Sequence, residues 1–241
     1  MESLINCFAL KKHEVISIIG SGGKTSLLRY LAKTTRHEKI LTATTTKMGL
    51  PKEDDYDYLL TDPLTAIPAK KGITMVGAVT KTPERSKLSM SESSLFPKSF
   101  TDFDKVILEA DGSKQLPLKG WADFEPVILP ETTMTIGIVP ITVLGLITAE
   151  ETIHRLNLYL KMVKAEKGET VTIDHLVQLI EHPQGLFAKA KGEKILYLNH
   201  ADKKEELSAA KRLTEKLSDT VVDKVVAGST LAGKGKIIWV R

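Results

Sequence analysis

The sequence is poor in several features, and each shortage excludes a class of protein. Cys7 is the only cysteine, which excludes an intrachain disulfide and a metal site built from several thiolates. No apolar stretch approaches the roughly 18 unbroken residues that a membrane-spanning helix needs. The first eight residues carry neither a basic segment nor a small-residue cleavage site. We therefore expect a cytoplasmic protein without a membrane span.

Long blocks of one charge are also missing. The 34 Lys and Arg residues are interspersed with 30 Asp and Glu residues, and the net charge is only +4. This mixture does not indicate binding to nucleic acid. The 241 residues, 42% of them hydrophobic, suit one large α/β domain, and neither a repeat nor a linker divides them.

One glycine-rich stretch is typical of a phosphate-binding loop. It consists of Gly20-Ser21-Gly22-Gly23-Lys24-Thr25-Ser26, between an apolar run at 15–19 and apolar residues at helical spacing from Leu27. Glycines let consecutive backbone N–H groups face phosphate oxygens, and the N-terminus of the following helix adds a partial positive charge. We expect Lys24 to contact the outer phosphates and Thr25 to offer a hydroxyl to Mg²⁺.

The loop departs from the standard spacing, G-x-x-x-x-G-K-[ST]. That spacing requires glycine at position 18, where the chain has Ile18, so that the shorter pattern G-x-x-G-K-T remains. The shorter pattern occurs in some ATP-dependent ligases. The alternative is a glycine-rich turn before a helix, without a ligand.

A second predicted strand, residues 39–44, runs into a cluster of hydroxyl groups. Thr45 and Thr46 follow the strand, and Lys47 comes directly after them. The carboxyl ends of parallel strands face the ligand crevice in α/β folds, so these side chains could reach Mg²⁺, a γ-phosphate or a substrate. β-Branched threonines also suit the end of a strand, and the sequence leaves both interpretations open.

A third predicted strand ends in two carboxylates. Residues 104–108 are followed by Glu109-Ala110-Asp111-Gly112. An acidic group at this place holds Mg²⁺ or orients a water, and Gly112 would let the backbone approach the γ-phosphate. The alternative is an Asp-Gly turn. Glu109 and Asp111 are two residues apart and are predicted to share a face, so the sequence does not decide which one serves the metal.

A later strand ends in the pattern N-x-x-D. Residues 194–198 lead into Asn199-His200-Ala201-Asp202, at the place where GTP-binding proteins have N-K-x-D. The Asp202 carboxylate would accept hydrogen bonds from N1–H and the 2-amino group of guanine, a donor pair that adenine lacks. Asn199 would support the loop, and His200 replaces the lysine. The alternative role of Asp202 is a helix N-cap.

The remaining chain predicts further strands and helices around these motifs. Residues 50–100 are rich in proline and serine and predict a loop-rich insertion with one strand at 72–79. Four strands are predicted at 127–129, 134–139, 221–226 and 236–240, and three helices at 149–164, 173–180 and 203–217, with Thr172 as the N-cap of the second.

Together these motifs resemble the YqeC family, accessory proteins of selenium-dependent molybdenum hydroxylases. The resemblance runs from Val15 nearly to Val226 and includes the glycine-rich loop, Thr44–Lys47, Glu109–Ser113, Leu116–Lys119, Glu125–Val127, His154-Arg155, His182–Gly185 and Asn199–Asp202. It implies a cytoplasmic nucleotide-binding protein in the maturation of a selenium-containing molybdenum cofactor. The implied partner is a molybdenum hydroxylase or a cofactor-maturation protein. His200 departs from the Lys or Gln that members often carry.

We therefore expect one domain over residues 1–241, with a three-layer α/β fold of the P-loop type and a mostly parallel central sheet flanked by helices. The expected activity is Mg²⁺-dependent binding and slow hydrolysis of a nucleoside triphosphate, GTP rather than ATP. Lys24 and Asp111 would be catalytic, and Thr25 with Glu109 or Asp111 would hold the metal.

Two alternative functions remain open at this point. The loop would also suit a small-molecule kinase or ligase, or a non-hydrolysing binder of a molybdopterin dinucleotide cofactor. The sequence names no second substrate, no selenium chemistry and no oligomeric state.

Overall fold

The computed structural model describes residues 1–61, 68, 70–81, 86–90 and 98–241. A large, mostly parallel sheet lies at the centre of the chain, with helices on both faces. This arrangement confirms the predicted fold class. No helix in the described ranges is long and apolar enough to cross a membrane.

The structure describes fourteen strands. They are β1 (Glu2–Ser3), β2 (Glu14–Gly20), β3 (Lys39–Thr44), β4 (Lys47–Gly49), β5 (Tyr58–Thr61), β6 (Gly72–Lys81), β7 (Ser86–Ser89), β8 (Lys105–Glu109), β9 (Leu118–Lys119), β10 (Met134–Pro140), β11 (Ile153–His154), β12 (Glu193–Asn199), β13 (Lys224–Ser229) and β14 (Lys234–Val240).

Five α-helices lie in the described ranges. They are α1 (Leu4–Phe8), α2 (Lys24–Thr34), α3 (Leu156–Val163), α4 (Ile173–Glu181) and α5 (Lys204–Lys216). Thr172 caps α4 as predicted, because its hydroxyl accepts a hydrogen bond from the backbone N–H of His175 at 3.2 Å.

The order of strands in the central sheet is β1-β14-β13-β12-β10-β2-β8-β3-β6-β7-β4, and β5 pairs with β6. The strands from β13 to β6 run parallel, while the pairs β13–β14 and β14–β1 at one end and β6–β7 and β7–β4 at the other are antiparallel. Strand β2 lies in the middle, so its loop opens at the centre of the carboxyl edge of the sheet.

Two hydrophobic clusters place helices on opposite faces of the sheet. On one face, α1 and α2 pack Leu4, Phe8 and Leu27 against Ile16 and Ile18. On the other face, α3, α4 and α5 cover another set of strand residues: Ile19, Val139, Leu196 and Leu198. The burial of both faces explains why the central strands are continuous apolar runs rather than alternating ones.

Three predictions of secondary structure are wrong. Residues 127–129 form no strand: the Val127 N–H donates to the carbonyl oxygen of Ala110, and the Val127 carbonyl oxygen accepts from the Thr45 hydroxyl, outside any ladder. The helix predicted at 149–164 begins only at Leu156, because Ile153–His154 pairs with Leu118–Lys119 as a small sheet. The strand predicted from 221 begins at Lys224.

The predicted loop-rich insertion contains more strands than expected. Strands β5 and β7 lie within it beside the predicted β6, and β4 comes just before it. Together they extend the central sheet. Pro63, Pro83, Pro97 and the end of the serine-rich run lie outside the described residues.

Candidate functional site

The glycine-rich loop joins β2 to α2 and has a backbone that only glycine adopts easily. Gly20, Gly22 and Gly23 have φ values of 97°, 74° and 134°, respectively. A Cβ atom on Gly20 would lie 2.2 Å from the carbonyl oxygen of Ile138. The loop is therefore packed tightly on β10 while its amide groups precede the N-terminus of α2, the arrangement that binds phosphate elsewhere.

Lys24 lies folded back against this loop. Its Nζ donates hydrogen bonds to the carbonyl oxygen of Gly20 at 2.7 Å and to Ser113 Oγ at 3.3 Å, and it lies 3.3 Å from Asp111 Oδ1. The side chain is buried. The ammonium group is thus held at the centre of the loop, in reach of the place that phosphates would take.

Asp111 holds the start of the loop through its carboxylate. Its Oδ2 accepts hydrogen bonds from the backbone N–H of Gly20 at 3.0 Å, Trp121 Nε1 at 2.9 Å and Lys119 Nζ at 3.2 Å. Its Oδ1 accepts no hydrogen bond from the described part of the chain. Since the carboxylate is fully buried and largely paired, its contacts serve to position the loop and Lys24.

Thr25 and Glu109 form the pair that best suits Mg²⁺. Thr25 Oγ1 donates to Glu109 Oε2 at 2.7 Å. Burial raises the pKa of Glu109, and the positive charge of Lys24 offsets part of that rise. No group of three His, Cys, Asp or Glu residues suited to a metal exists in the described ranges. Mg²⁺ fits such a site because it takes few protein ligands and binds substrate phosphates as well.

The threonines after β3 have structural hydrogen bonds. Thr44 Oγ1 donates to the carbonyl oxygen of Glu109 at 2.9 Å, and Thr45 Oγ1 donates to that of Val127 at 2.7 Å. The Thr46 hydroxyl lies 3.4 Å from Thr44 Oγ1, and the Thr46 backbone N–H donates to the same oxygen at 3.1 Å. Their hydroxyls tie β3 to its neighbours, whereas the Lys47 side chain is exposed at the mouth of a cleft.

Asn199 connects the glycine-rich loop to the strand that carries N-x-x-D. Its Nδ2 donates to the carbonyl oxygen of Gly22 at 2.9 Å, and its Oδ1 accepts from Tyr197 Oη at 3.0 Å and from the backbone N–H of Thr230 at 3.2 Å. Asn199 therefore supports the loop, as its place in the sequence suggests.

Asp202 is exposed beyond Asn199. Its backbone N–H donates to Glu206 Oε2 at 2.9 Å, and its carboxylate accepts no hydrogen bond from a described residue. The N-cap of α5 is Lys203, so the alternative interpretation of Asp202 as the cap does not apply. His200 has a φ of 58° and is exposed beside it.

A cleft of about 580 Å³ opens between the loop and the β4–β7 end of the sheet. Among the described residues, Glu109 is the one carboxylate that lines it, together with five lysine and arginine residues: Lys24, Arg29, Lys47, Lys87 and Lys114. Gly112 and Ser113 form part of the wall. Asn199 and Asp202 are not among the lining residues, so the predicted base contact lies outside this cleft.

A buried ionic cluster lies behind the loop, and the sequence alone did not indicate it. Lys119 is fully buried, and its Nζ donates to Glu125 Oε2 at 2.8 Å and to the carbonyl oxygen of Gly112 at 2.5 Å, in addition to Asp111. Arg155 also pairs with Glu125. Burial opposes ionisation of Glu125, but hydrogen bonds from Arg155 and Lys119 outweigh it and lower its pKa to about 2.

His154 lies between this cluster and the cleft, and lines the cleft. Burial lowers its pKa to about 4, and the positive charges of Arg155, Lys119 and Lys114 contribute. The imidazole is therefore neutral near pH 7. The motifs around Lys119, Glu125 and His154 stand out in the sequence only as parts of a family resemblance, since their partners are distant along the chain.

Comparisons with known proteins agree on one family. The family model described as "YqeC protein" matches residues 16–157, more than half of the chain. A protein of Escherichia coli (strain K12), described as "Uncharacterized protein YqeC", is 26% identical over 236 residues. The match covers 93% of this chain and 91% of that protein. No solved structure matches the chain significantly.

Proposed function

The chain belongs to the YqeC family, and we propose that it binds a nucleoside triphosphate with Mg²⁺ at the Gly20–Thr25 loop and hydrolyses it slowly. The observation that carries this proposal is the convergence of Lys24, Thr25, Glu109 and Asp111 on one glycine-rich loop at the centre of the sheet. We propose further that the protein works in the cytoplasm, in the maturation of a selenium-dependent molybdenum hydroxylase, as the resemblance implies.

The roles divide among the loop residues by their contacts. The amide groups of residues 20–25 and Lys24 Nζ would hold the phosphates. Lys24 would exchange its hydrogen bond to the Gly20 carbonyl for phosphate oxygens, while Asp111 keeps the ammonium group in place.

Glu109 is the better candidate for the metal. Its oxygen lies against the Thr25 hydroxyl, whereas Asp111 already accepts three hydrogen bonds through Oδ2. Bound Mg²⁺ would neutralise charge on the outer phosphates. No side chain of the described residues stands out as a general base, which agrees with a slow hydrolase rather than a rapid one.

GTP is the proposed nucleotide because of Asp202. Its carboxylate is exposed and without a described hydrogen-bond donor, and it follows Asn199, which contacts the loop. A base bound there would lie on the side of β2 away from the cleft, since β12 is two strands from β2 in that direction.

The test of nucleotide binding is calorimetry with Mg²⁺ and GTP. We expect Lys24→Ala to lower the affinity by about 1000-fold, or ~4 kcal/mol, because a buried charged donor is lost. Lys33→Ala, on the exposed side of the same helix, is the matched control and should bind as the original protein does. Equal affinity of the folded Lys24→Ala protein and the control would reject the proposal.

The base is tested by competition of GTP, ATP and CTP against one labelled nucleotide. GTP should compete best, and Asp202→Asn should remove most of its advantage. If ATP competes better than GTP, the assignment of Asp202 to guanine is wrong.

The accessory role has a separate test. Hydrolysis should be slow for the protein alone and should rise when a molybdenum hydroxylase of the same organism is added. A rate that no such hydroxylase changes would argue against this role and leave nucleotide binding intact.

A further inference from the structure

Two lysines lie close together on the strands that form the far wall of the cleft. In the antiparallel pair β4–β7, Lys47 lies opposite Ser89, and Gly49 lies opposite Lys87. Residues opposite each other share a face, so Lys47 and Lys87 are diagonal neighbours on one face, with Cα atoms about 7–8 Å apart. Both line the cleft. We call them the β4–β7 lysines.

The β4–β7 lysines are unpaired within the part of the chain that the structure describes. Neither makes a salt bridge to a described carboxylate, whereas Arg29 in the same cleft pairs with Asp55 at 2.8 Å. Like charges placed side by side on a sheet repel. An arrangement of this kind is stabilised when an anion binds between the two ammonium groups.

The opposite face of β4 and β7 packs into a hydrophobic cluster. Met48 and Leu88 are buried there with Met75 of β6. This packing fixes the position of β4 and β7, so the lysines are presented by a supported wall of the cleft. Their placement therefore does not depend on a loose loop.

The cleft leaves room between this wall and the glycine-rich loop. A Cβ atom added to Gly49 would meet no atom within 4 Å, and one added to Gly112 would meet only Glu125, at 3.7 Å. The two glycines thus line open space on both sides of the cleft. Its volume of about 580 Å³ exceeds the needs of one phosphate group.

The direction of the cleft relative to a nucleotide follows from the strand order. Strand β3, which leads into Lys47, lies two strands from β2 on one side, and β12 with Asn199 lies two strands away on the other. At about 4.8 Å per strand, the two strands are about 19 Å apart. A nucleotide whose base lies near Asp202 would direct its terminal phosphate toward Glu109 and the cleft.

We propose that the β4–β7 lysines bind the phosphate group of a second, small-molecule substrate, next to the terminal phosphate of the nucleotide. A phosphate monoester carries about −1.5 to −2 charges near neutral pH, which two ammonium groups match with charge-assisted hydrogen bonds. The inference rests on the proposed function for the position of the nucleotide. It adds a second substrate class, a phosphorylated small molecule, to the site.

The experiment measures binding of inorganic phosphate to protein saturated with Mg²⁺ and the β,γ-imido analogue of GTP. We expect one phosphate per chain, detected by calorimetry and by ³¹P NMR. Lys47→Ala/Lys87→Ala should weaken this binding at least about 10-fold, and Gly49→Leu should abolish it by filling the open space. Lys161→Ala/Lys211→Ala, which removes two lysines from exposed positions on α3 and α5, is the matched control.

Affinities for GTP and GDP separate a second site from a contact with the nucleotide itself. The double variant Lys47→Ala/Lys87→Ala should bind both nucleotides as the original protein does. Weaker binding of GTP with unchanged binding of GDP would show that the lysines contact the γ-phosphate, and it would overturn the inference. Phosphate binding that is absent, or equal in the double variant and its control, would overturn it too.

The same measurements tell failure of the inference from failure of the proposed function. If GTP binds and phosphate does not, only the second site is rejected. If GTP does not bind but phosphate does, and the double variant loses it, the phosphate site stands without the nucleotide.

Discussion

Two pairs of lysines near the cleft lie in opposite electrostatic situations. Behind the glycine-rich loop, Lys24 and Lys119 are buried, with exposures of 4% and 0%, and each touches a carboxylate and a backbone carbonyl. At the far wall, Lys47 and Lys87 are accessible and pair with no described carboxylate. The protein supplies carboxylate partners for the first pair of lysines, and the described residues supply none for the second.

This difference separates structural charges from charges available to a ligand. A buried ion without a partner lowers the stability of a protein by several kcal/mol. The burial of Lys119 therefore depends on its two carboxylate partners, Asp111 and Glu125. Lys24 combines both roles: its partners hold the ammonium group in the interior, and exchange of its hydrogen bond to Gly20 would make it available to phosphate. The following predictions test this contrast.

The largest difference should come from removing one lysine of each pair. Lys119→Met leaves Glu125 and Asp111 with fewer cationic partners in the interior and should lower the free energy of unfolding by about 4 kcal/mol. Lys47→Met at the exposed wall should change it by less than about 0.5 kcal/mol. Urea denaturation of both variants measures these changes in the free energy of unfolding. Similar losses in the two variants would contradict the contrast.

Acid should weaken the buried cluster over a defined range of pH. The pKa of Glu125 lies near 2 in the folded protein, below its ordinary value of 4.5. Its stabilising contribution is therefore complete above pH 4.5 and is lost as the pH falls toward 2, with a total of about 3 kcal/mol.

Denaturation of the original protein and Glu125→Gln at several pH values tests this prediction. The difference in unfolding free energy between them should shrink as the pH falls from 5 to 2.5. Glu131→Gln, at an exposed position, should differ little from the original at any pH. A constant difference for Glu125→Gln would show that its charge does not stabilise the fold.

Glu109 lies where the loop meets the cleft, and its variant should affect the metal. Glu109→Gln should raise the Mg²⁺ concentration needed for GTP binding by at least about 10-fold. Because burial raises the pKa of Glu109, protons compete with the metal, and this requirement should also rise as the pH falls. Asp111→Asn is the comparison. If it raises the Mg²⁺ requirement and Glu109→Gln does not, the metal assignment is reversed.

Protonation of His154 should also lower the stability of the protein. Its pKa of about 4 means that the folded protein binds a proton there less readily than the unfolded chain, whose value is 6.5. Stability should therefore fall by up to about 3 kcal/mol as the pH drops from 6.5 to 4. An NMR titration of the imidazole should show this low pKa, and bound triphosphate should raise it by offsetting the nearby positive charges. Titration near 6.5 without a ligand would contradict the burial of this side chain in a cationic surrounding.

Local patterns were sufficient for the central strands and the loop. The apolar run before Gly20, the glycines and the helical spacing after Lys24 predict β2, the loop and α2, since each depends on neighbours in the chain. The apolar residues at 127–129 were misleading. Val127 is held by two single hydrogen bonds, one to Ala110 and one from Thr45. No local sequence pattern distinguishes a segment held in this way from a strand of a sheet.

The helix predicted from residue 149 failed for a related reason. Ile153 and His154 pair with Leu118 and Lys119, over 30 residues earlier, and this pairing delays the helix to Leu156. The same pairing places His154 at the cleft and brings Arg155 to Glu125. Residue spacing in the sequence therefore could not predict the buried ionic cluster, because its members come from three separate segments.

By itself, the sequence determined the α/β fold class, the family and the loop with Lys24 and Thr25, because glycine content and hydrophobic periodicity are local properties. Tertiary structure alone decided which carboxylate faces Thr25, which lysines are neutralised and which remain available. Those properties depend on distances between strands that are far apart in the chain, and on burial, which changes the cost of an unpaired charge.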